Sequence, residues 1–586
     1  MKSKWTLLLQ QADQQLNQNK KRNTRMAVIR FVLFLAVAWS FFNLVDGHNL
    51  WWLIMIPCLV LFFIAMQHHH KINRRTEQLK ARISVCQKLI DRNDGQWKLS
   101  QADPGNFPDD PQWIDLDVFS GQSLFHFIDM TTLPQGRAAL IRFLSTTADL
   151  DEILDRQKTV RALLDDQDFL IRDWTTAHQL SQDQAEAMNR EHLEQWIRPI
   201  PLICSETVVK CMPVIFALLL ILTLVGWIDP VIFILYFFIQ SALALFSMAS
   251  LQQSVNALSS MRQGLQYNMD RLSALQQSSL HSPAVDRIRI QLTQQGGINE
   301  NIRKIDRILD LFSIRANPFL SLPLQLVLLW DMQCACSWNR LQKKAGDQWV
   351  GLMEQIGELE ALESLCVIAL THQKTCFPEF SQEPVLQFKD MIHPLIEDHK
   401  AVGNSFTLDH SITLITGSNM SGKTTFMRTV GLNQILAMAG SCVCAEKMTT
   451  SRFTVLTSMK ITDNVNEGIS TFYQELLRIR KIIEAIPTQK PLLVLIDEIF
   501  KGTNSLDRIE GGRRILRQLN QPQIRAMITT HDFELCDMEQ EDLSLVNIHF
   551  EEQFIENRIS FDYRLKEGRC NQRNARYLMK MIGLDD

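Results

Sequence analysis

The sequence predicts an α/β domain at the C-terminal end of a chain that is otherwise helical and carries two apolar helical hairpins. Three observations predict it. Four apolar runs of 17 to 20 residues stand in two pairs. Residues 114–181 and 249–372 set apolar side chains at three-to-four spacing, the period of a helix with one buried face. Only beyond Pro378 do short β-type runs alternate with helical stretches, the mark of an α/β domain.

Residues 1–25 predict a polar, amphipathic cytoplasmic helix with Trp5, Leu7, Leu8, Leu9 and Leu16 partly on one side. The first hairpin, 26–66, pairs Met26–Val45 with Leu50–Met66 across a short polar break. At roughly 1.5 Å per residue each run matches a hydrocarbon core of about 30 Å. Lys20, Lys21, Arg22 and Arg25 precede this hairpin and Lys71, Arg74 and Arg75 follow it, whereas the break carries only Asp46 as a charge. The positive-inside rule puts both ends in the cytoplasm. Residues 67–112 predict a continuing helix and a linker rich in Asp, Pro and Gly. A helical core follows over 113–204. The second hairpin, 205–250, pairs Cys211–Trp227 with Val231–Met248 across Ile228-Asp229-Pro230, with Arg198 and Lys210 before it and Arg262 after. Residues 251–376 resume the helical core as levers, broken at Gly296-Gly297 and around Pro318 and Pro323. The α/β domain takes 377–586. The expected location is a multi-pass protein of the cytoplasmic (inner) membrane, its bulk in the cytoplasm.

A net charge of −4 and an apolar fraction of 46% exclude a disordered chain and a globally basic nucleic-acid binder. The twelve cysteines are scattered without the spacing of a zinc site. Cys334 with Cys336, and Cys442 with Cys444, sit in apolar sequence and read as core thiols in a reducing compartment.

The chemistry concentrates in the last third. The strand-like run Ser411–Thr416 leads into Gly417-Ser418-Asn419-Met420-Ser421-Gly422-Lys423-Thr424, and Thr425 opens a helical stretch. This is the P-loop pattern in its strand–loop–helix setting. Glycines let backbone N–H groups wrap phosphates at a helix N-terminus. Lys423 is placed to reach the terminal phosphates of ATP, and the Thr424 hydroxyl to ligand Mg²⁺. A second apolar run, Pro491–Ile496, ends in Asp497-Glu498. Two carboxylates at the end of a buried strand are costly without a cation. Asp497 suits the Mg²⁺ shell, and Glu498 suits orienting the attacking water. A third run, Arg525–Thr530, ends at His531, placed to sense the γ-phosphate.

These motifs stand in a distinctive order: TGSNMSGKTTFMRTVGLNQILAMAG from Thr416, DNVNEGISTFYQEL over 463–476, LIDEIFKGTNSLDR over 495–508 and TTHDFEL over 529–535. From His393-Pro394 to about Gly568 the chain resembles the ATPase domain of the DNA mismatch-repair MutS family. The fold implied is an α/β P-loop NTPase of the ABC/MutS-like kind beside an all-α core and lever domain, to which the apolar runs add two transmembrane hairpins. The resemblance makes Ile469-Ser470-Thr471-Phe472 the family's signature loop. It implies a homodimer through the ATPase domain in which Ser470 touches ATP held by the partner subunit. Asn419 is a family trait. Val118–Arg137 and Asp155-Arg156-Gln157 resemble the start of the family's helical core. The sequence departs from the family where a membrane-type hairpin precedes the core and where Ser418 replaces the usual Pro. No counterpart of the Phe-x-Glu mismatch wedge is found near the N-terminus, and Phe377-Pro378-Glu379 matches it by letters alone.

The resemblance implies an ATP-driven conformational switch that engages DNA, mismatched or branched. An alternative keeps the switch and directs it at a membrane or protein partner. A third reading, an ABC-type transporter, is disfavoured: two separated hairpins lack intramembrane charge pairs, and the signature is of Ser-Thr-Phe type. Arg303, Lys304, Lys343 and Lys344 read first as a solvated helix face and second as phosphate contacts.

Overall fold

The computed structural model describes residues 2–46, 49–99, 107–196, 198–293, 304–305, 307–308, 310–312, 314–316, 318–418, 420–460, 471–500, 504–541, 543–555 and 558–570. Helix α1 (Lys2–Val45) and helix α2 (Trp52–Asn93) pack antiparallel along their length. No break separates residues 1–25 from the first apolar run: Arg22–Ala27 holds no Gly or Pro to stop a helix, and the weak formers Asn23 and Thr24 stand among strong ones. Away from the apolar end the pair closes on protein. Trp5 is buried, and Asn19 Nδ2 donates to Ile72 O (3.0 Å) and Thr76 Oγ1 (2.9 Å). Towards the tip the polarity inverts, with Phe31, Phe34, Phe41, Phe42 and Leu53 exposed. Among the described residues four helical stretches, Lys4–Val45, Trp52–Asn93, Glu206–Leu224 and Pro230–Gln252, are by length and composition able to cross a membrane.

The short helix α3 (Pro111–Asp115) enters the helical core, which continues to Trp196. Helix α4 (Glu206–Leu224) and helix α5 (Pro230–Gln277) form the second pair, with Phe216 against Phe233 at 5.3 Å between ring centres. Asp229 starts α5 by accepting the Val231 amide at 2.9 Å, and Pro230 occupies the first turn, where its missing N–H costs nothing. The 48 residues of α5 then run on into the core. There Arg271, buried, pairs with Asp173 and with Glu360, each at 2.6 Å, and Glu363 stands 3.8 Å away. Glu360 also accepts the amides of Thr132 (3.0 Å) and Leu133 (2.9 Å), so one carboxylate starts the helix Pro134–Ser145 and holds α5.

Helix α6 (Pro318–Leu328) and helix α7 (Trp330–Leu365) follow, joined at Leu329 in a left-handed conformation. Pro318 starts α6 as expected, but Pro323 does not break it and lies inside the helix. A proline deprives one carbonyl a turn earlier of its donor and need not end a helix packed on a neighbour. The break expected at Gly296-Gly297 lies outside the described residues. The four singled-out thiols, Cys334, Cys336, Cys442 and Cys444, are buried and free.

Beyond Pro378 the chain builds sheet: β1 (Glu379–Phe380), β2 (Leu386–Met391), β3 (Asn404–Leu408), β4 (Ile412–Thr416), β5 (Lys447–Thr450), β6 (Thr454–Ser458), β7 (Leu492–Ile496), β8 (Ile524–Thr529), β9 (Leu545–His549), β10 (Glu552–Ile555), β11 (Arg558–Phe561) and β12 (Lys566–Glu567). One sheet has the order β1-β5-β2-β3, and the main one β12-β9-β4-β8-β7-β6. In the main sheet β9, β4, β8, β7 and β6 are parallel, and only β12 is antiparallel. β4, β7 and β8 are buried along their whole length, as a sheet covered on both faces requires. Helix α8 (Lys423–Ala439) fills one side and is buried nearly all round, because the helical core closes over its outer face. Helix α9 (Thr471–Ala485) and helix α10 (Ser505–Leu519) complete the domain.

Candidate active site at the tips of three parallel strands

β8 lies between β4 and β7, with Ile415 opposite Thr529 and Ile496 opposite Ile528. That register brings three strand ends to one level: the loop after Thr416, the acidic pair after Ile496 and His531 after Thr529. Binding crevices of parallel α/β sheets form outside such carboxyl ends.

The loop depends on two glycines. Gly417 has φ 144° and a side chain there would meet Phe550 O at 2.6 Å; Gly422 has φ 105° and faces the Tyr563 ring. Both are conformations and approaches that other residues rarely accept. Gly422 delivers the chain into α8, so free N–H groups of the first turn point into the loop. Ser421 Oγ donates to Ser418 O (2.9 Å), and Met420 extends into solvent. Lys423 Nζ donates to Gly417 O (2.7 Å) and Ser418 O (2.8 Å), placing an ammonium inside the loop's curve. Burial holds that ammonium below the ordinary lysine value, and the charges of Glu498 and Asp497 pull it back up.

Asp497 is shared by two hydroxyls. Thr424 Oγ1 donates to Oδ2 and Thr529 Oγ1 to Oδ1, each at 2.7 Å. Thr529 Oγ1 also accepts the Glu498 amide at 2.7 Å, which holds Glu498 at φ 57°. A glutamate in that region costs about 1–3 kcal/mol and persists only where its surroundings fix it. His531 Nε2 stands 3.2 Å from Glu498 Oε1. The loop after His531 is set by a bidentate pair, Arg508 Nε and Nη2 on Asp532 at 2.7 and 2.8 Å. The three strand tips thus bring together Gly417, Ser418, Met420, Ser421, Gly422, Lys423, Thr424, Thr425, Asp497, Glu498 and His531. Asn419 and Ser470 lie outside the described residues.

A cleft of about 410 Å³ opens beside these groups, lined on its far side by His393, Ile396, Val402 and Tyr563. Burial, followed by the charge of Arg428, pushes the His393 imidazole down to about 4, so the ring is neutral. Asn404 Nδ2 donates to Tyr563 O (3.0 Å) and Asn404 Oδ1 accepts the Leu565 amide (2.8 Å), fixing the Tyr563 turn over the cleft. Sequence reasoning reached His393 only as a boundary and missed this wall. Thr529 was missed as well, although its place one strand-end from two acids was a usable signal.

The helical core reaches the same site through two aspartates. Asp115, 0% exposed, accepts from Thr457 Oγ1 (2.7 Å), the amides of Met459 and Lys460 (2.9 Å each) and Arg478 Nη1 (3.0 Å). It therefore binds both the chain leaving β6 and helix α9, the two ends that flank residues 461–470. Asp117 pairs with Lys460 (2.7 Å) and with Arg428 of α8 (3.1 Å).

Residues 413–585 match the family described as MutS domain V. Over this C-terminal part the chain is similar to the MutS family. Among its relatives are proteins named DNA mismatch repair protein MutS. That of Listeria welshimeri is 34% identical over 240 residues, covering 39% of this chain and 26% of the relative. That of Streptococcus pyogenes serotype M49 is 29% identical over 254 residues, covering 42% and 29%. The chain thus spans little more than a quarter of the length of the curated relatives it matches; the MutS domain V match takes in the three strand tips, while His393, Ile396 and Val402 of the cleft lie before it.

Proposed function

We propose that this MutS-family chain is a membrane-anchored, Mg²⁺-dependent ATPase that works as a conformational switch in a homodimer. The observation that carries the reading is the Thr424–Asp497–Thr529–Glu498–His531 network at one end of the sheet. The residues fit the nucleotide and its metal. Lys423 is bonded to two loop carbonyls and can transfer to phosphate oxygens without crossing the cleft. Thr424 and Asp497 offer a hydroxyl and a carboxylate, the hard oxygen donors Mg²⁺ takes. When bound, the metal neutralises phosphate charge. Glu498 is aimed into the cleft by its backbone and orients and polarises the attacking water; His531, in contact with it, senses the γ-phosphate. The N–H groups of Gly417–Thr425, including Asn419, cradle the phosphates. Ser470 completes the site of the partner subunit.

Membrane anchoring is supported by the four apolar stretches and by the exposure of their side chains. Left in water, that surface would cost roughly 25 cal/mol per Å². The flanking basic residues support a cytoplasmic site. For the output of the switch, the names of the relatives support DNA. A second output, a membrane or protein partner, is supported by α5, a single helix from the second hairpin to the Arg271 cluster. Solubilised protein should bind ATP and hydrolyse it. Lys423→Ala should lose nucleotide binding. Glu498→Gln should bind ATP and turn over about 10²–10⁴-fold more slowly, the usual size of an acid–base contribution. Wild-type turnover in the glutamine variant rejects the assignment. A salt-dependent shift of mismatched or junction DNA supports the first output. A recurrent protein crosslink without DNA binding supports the second.

A further inference from the structure

Helix α6 is inside-out. Its buried positions include the polar Ser321 and Gln325, 9% and 2% exposed, while Leu322 and Val327 are 48% and 37% exposed. A helix on a water-soluble core turns its apolar stripe inward and its polar residues out. The inverted arrangement suits a helix that has protein on one side and hydrocarbon on the other.

The end of α6 carries the stronger observation. The last carbonyls of a helix have no intrahelical donor, and in hydrocarbon no water supplies one. Here Gln240 Nε2 donates to Leu326 O (2.9 Å) and Val327 O (2.8 Å). Gln240 is 0% exposed and lies midway along the apolar run Val231–Met248. It is eight residues from Met248, which places it about 12 Å along the helix at ~1.5 Å per residue. A glutamine at that depth needs a partner as much as the carbonyls do. The Gln240 amide nitrogen and the two carbonyls satisfy one another.

The flanks lead back out. Arg315 Nη2 donates to Met248 O (2.9 Å), and Arg315 Nη1 pairs with Asp331 at 3.2 Å. Between them the chain passes along α6, turns at Leu329 and enters α7, where the Asp331 amide donates to Gln325 Oε1 (2.9 Å) and Gln333 Nε2 to Val209 O of α4 (2.8 Å). The loop starts and finishes at the end of the hairpin nearest the core.

We propose that Pro318–Leu328 is a re-entrant helix seated in the lipid bilayer against the second hairpin, so that α7 starts at the membrane surface. The occupant of its exposed stripe is lipid, because α6 docks on a helix whose own Leu235, Phe238, Ile239, Leu245 and Phe246 are exposed around Gln240. The inference rests on the reading that the second hairpin spans the membrane, and its test separates the two. The full chain is reconstituted in phosphatidylcholine–phosphatidylglycerol vesicles and photolysed with a small apolar diazirine that partitions into the bilayer, and labelled peptides are mapped. Peptides covering 318–328 should carry label comparable, per residue, to those covering 214–246 and well above those covering 349–371. Label on 214–246 with 318–328 at the level of 349–371 overturns the re-entrant helix, including the case in which a second copy shields it. Both regions at that level overturn the membrane reading itself. In Gln240→Leu, label on 318–328 should fall several-fold while that on 214–246 stays; unchanged label on 318–328 removes Gln240 as its anchor.

Discussion

Asp115→Asn is nearly isosteric and removes one charge from a fully enclosed position. The carboxylate serves four donors: a hydroxyl, two backbone amides and one Arg478 nitrogen that spans both oxygens at 3.0 Å. An asparagine amide must turn its own N–H₂ towards at least one of these donors, because each oxygen faces a backbone N–H. It also leaves the Arg478 guanidinium, mostly buried, without its counter-charge. Breaking a buried pair by removing one partner costs roughly 3–5 kcal/mol, a large share of the ~5–15 kcal/mol that holds a domain folded. Trp113, buried two residues away, is a built-in reporter. Denaturant unfolding of the solubilised protein, followed by tryptophan fluorescence, should show the variant destabilised by that amount. Arg478→Met should recover part of the loss in the double variant, since the two residues share one interaction. A loss below about 1 kcal/mol, or strict additivity of the two substitutions, would refute the clamp.

Thr529→Val removes the hydroxyl that steadies both Asp497 and the Glu498 amide; the Mg²⁺ concentration for half-maximal ATP turnover should rise about 10–100-fold, the usual effect of losing a partner that orients a metal ligand. Arg271→Met leaves Asp173, Glu360 and Glu363 together without their cation and should cost roughly 3–5 kcal/mol in denaturant melts. His178 is held neutral, its value pushed down to about 3 by burial and then by Lys88, whose Nζ lies 3.0 Å from Nε2. The unfolded chain therefore takes up the proton first, stability falls as pH drops from about 6.5 towards 3, and His178→Gln should flatten that limb of a pH–stability curve. His372 has the opposite sign: burial opposes its charge, but Cys444 and Asp398 (2.6 Å) outweigh it and raise the ring to about 10. Its contribution is whole below about 6.5 and is lost as pH rises through about 10, so His372→Gln should flatten the alkaline limb.

The parts of the site legible in the sequence are those encoded within a dozen residues. Gly417 to Thr424 announce a loop that only glycines can close, and Asp497-Glu498 after five apolar residues announce a strand delivering charge. Strand order is a different kind of information. That β8 lies between β4 and β7 depends on pairings more than thirty residues apart, and no local pattern separates this order from its alternatives. Asp115 was illegible for the same reason, its partners lying more than 340 positions away. The wall of His393, Ile396, Val402 and Tyr563 draws on two distant loops, and apolar residues in loops carry no periodicity to read. Pro323 misled because proline was weighed as a helix breaker in water, whereas its helix is supported from outside by α5.

What joins the site to the apolar hairpins is a short series of stiff pieces with a charged joint at each end. From Met248 to Arg271, α5 rises roughly 35 Å at ~1.5 Å per residue. At its far end Arg271 binds Glu360 of α7, and Glu360 holds Thr132 and Leu133 at the start of the helix Pro134–Ser145, which packs on α7 and α8. Asp115 and Asp117, from the same helical core, grip β6, α9 and α8 around the cleft at the strand tips. Buried charge pairs tolerate little intermediate geometry, since a partly opened pair leaves a desolvated ion without its partner. Joints of this kind favour discrete arrangements over gradual bending, which is the property a two-state switch requires. Coupling of this sort is reciprocal. If a ligand at the strand tips biases the position of α5, then whatever holds the apolar end of α5 biases the affinity for that ligand by the same factor.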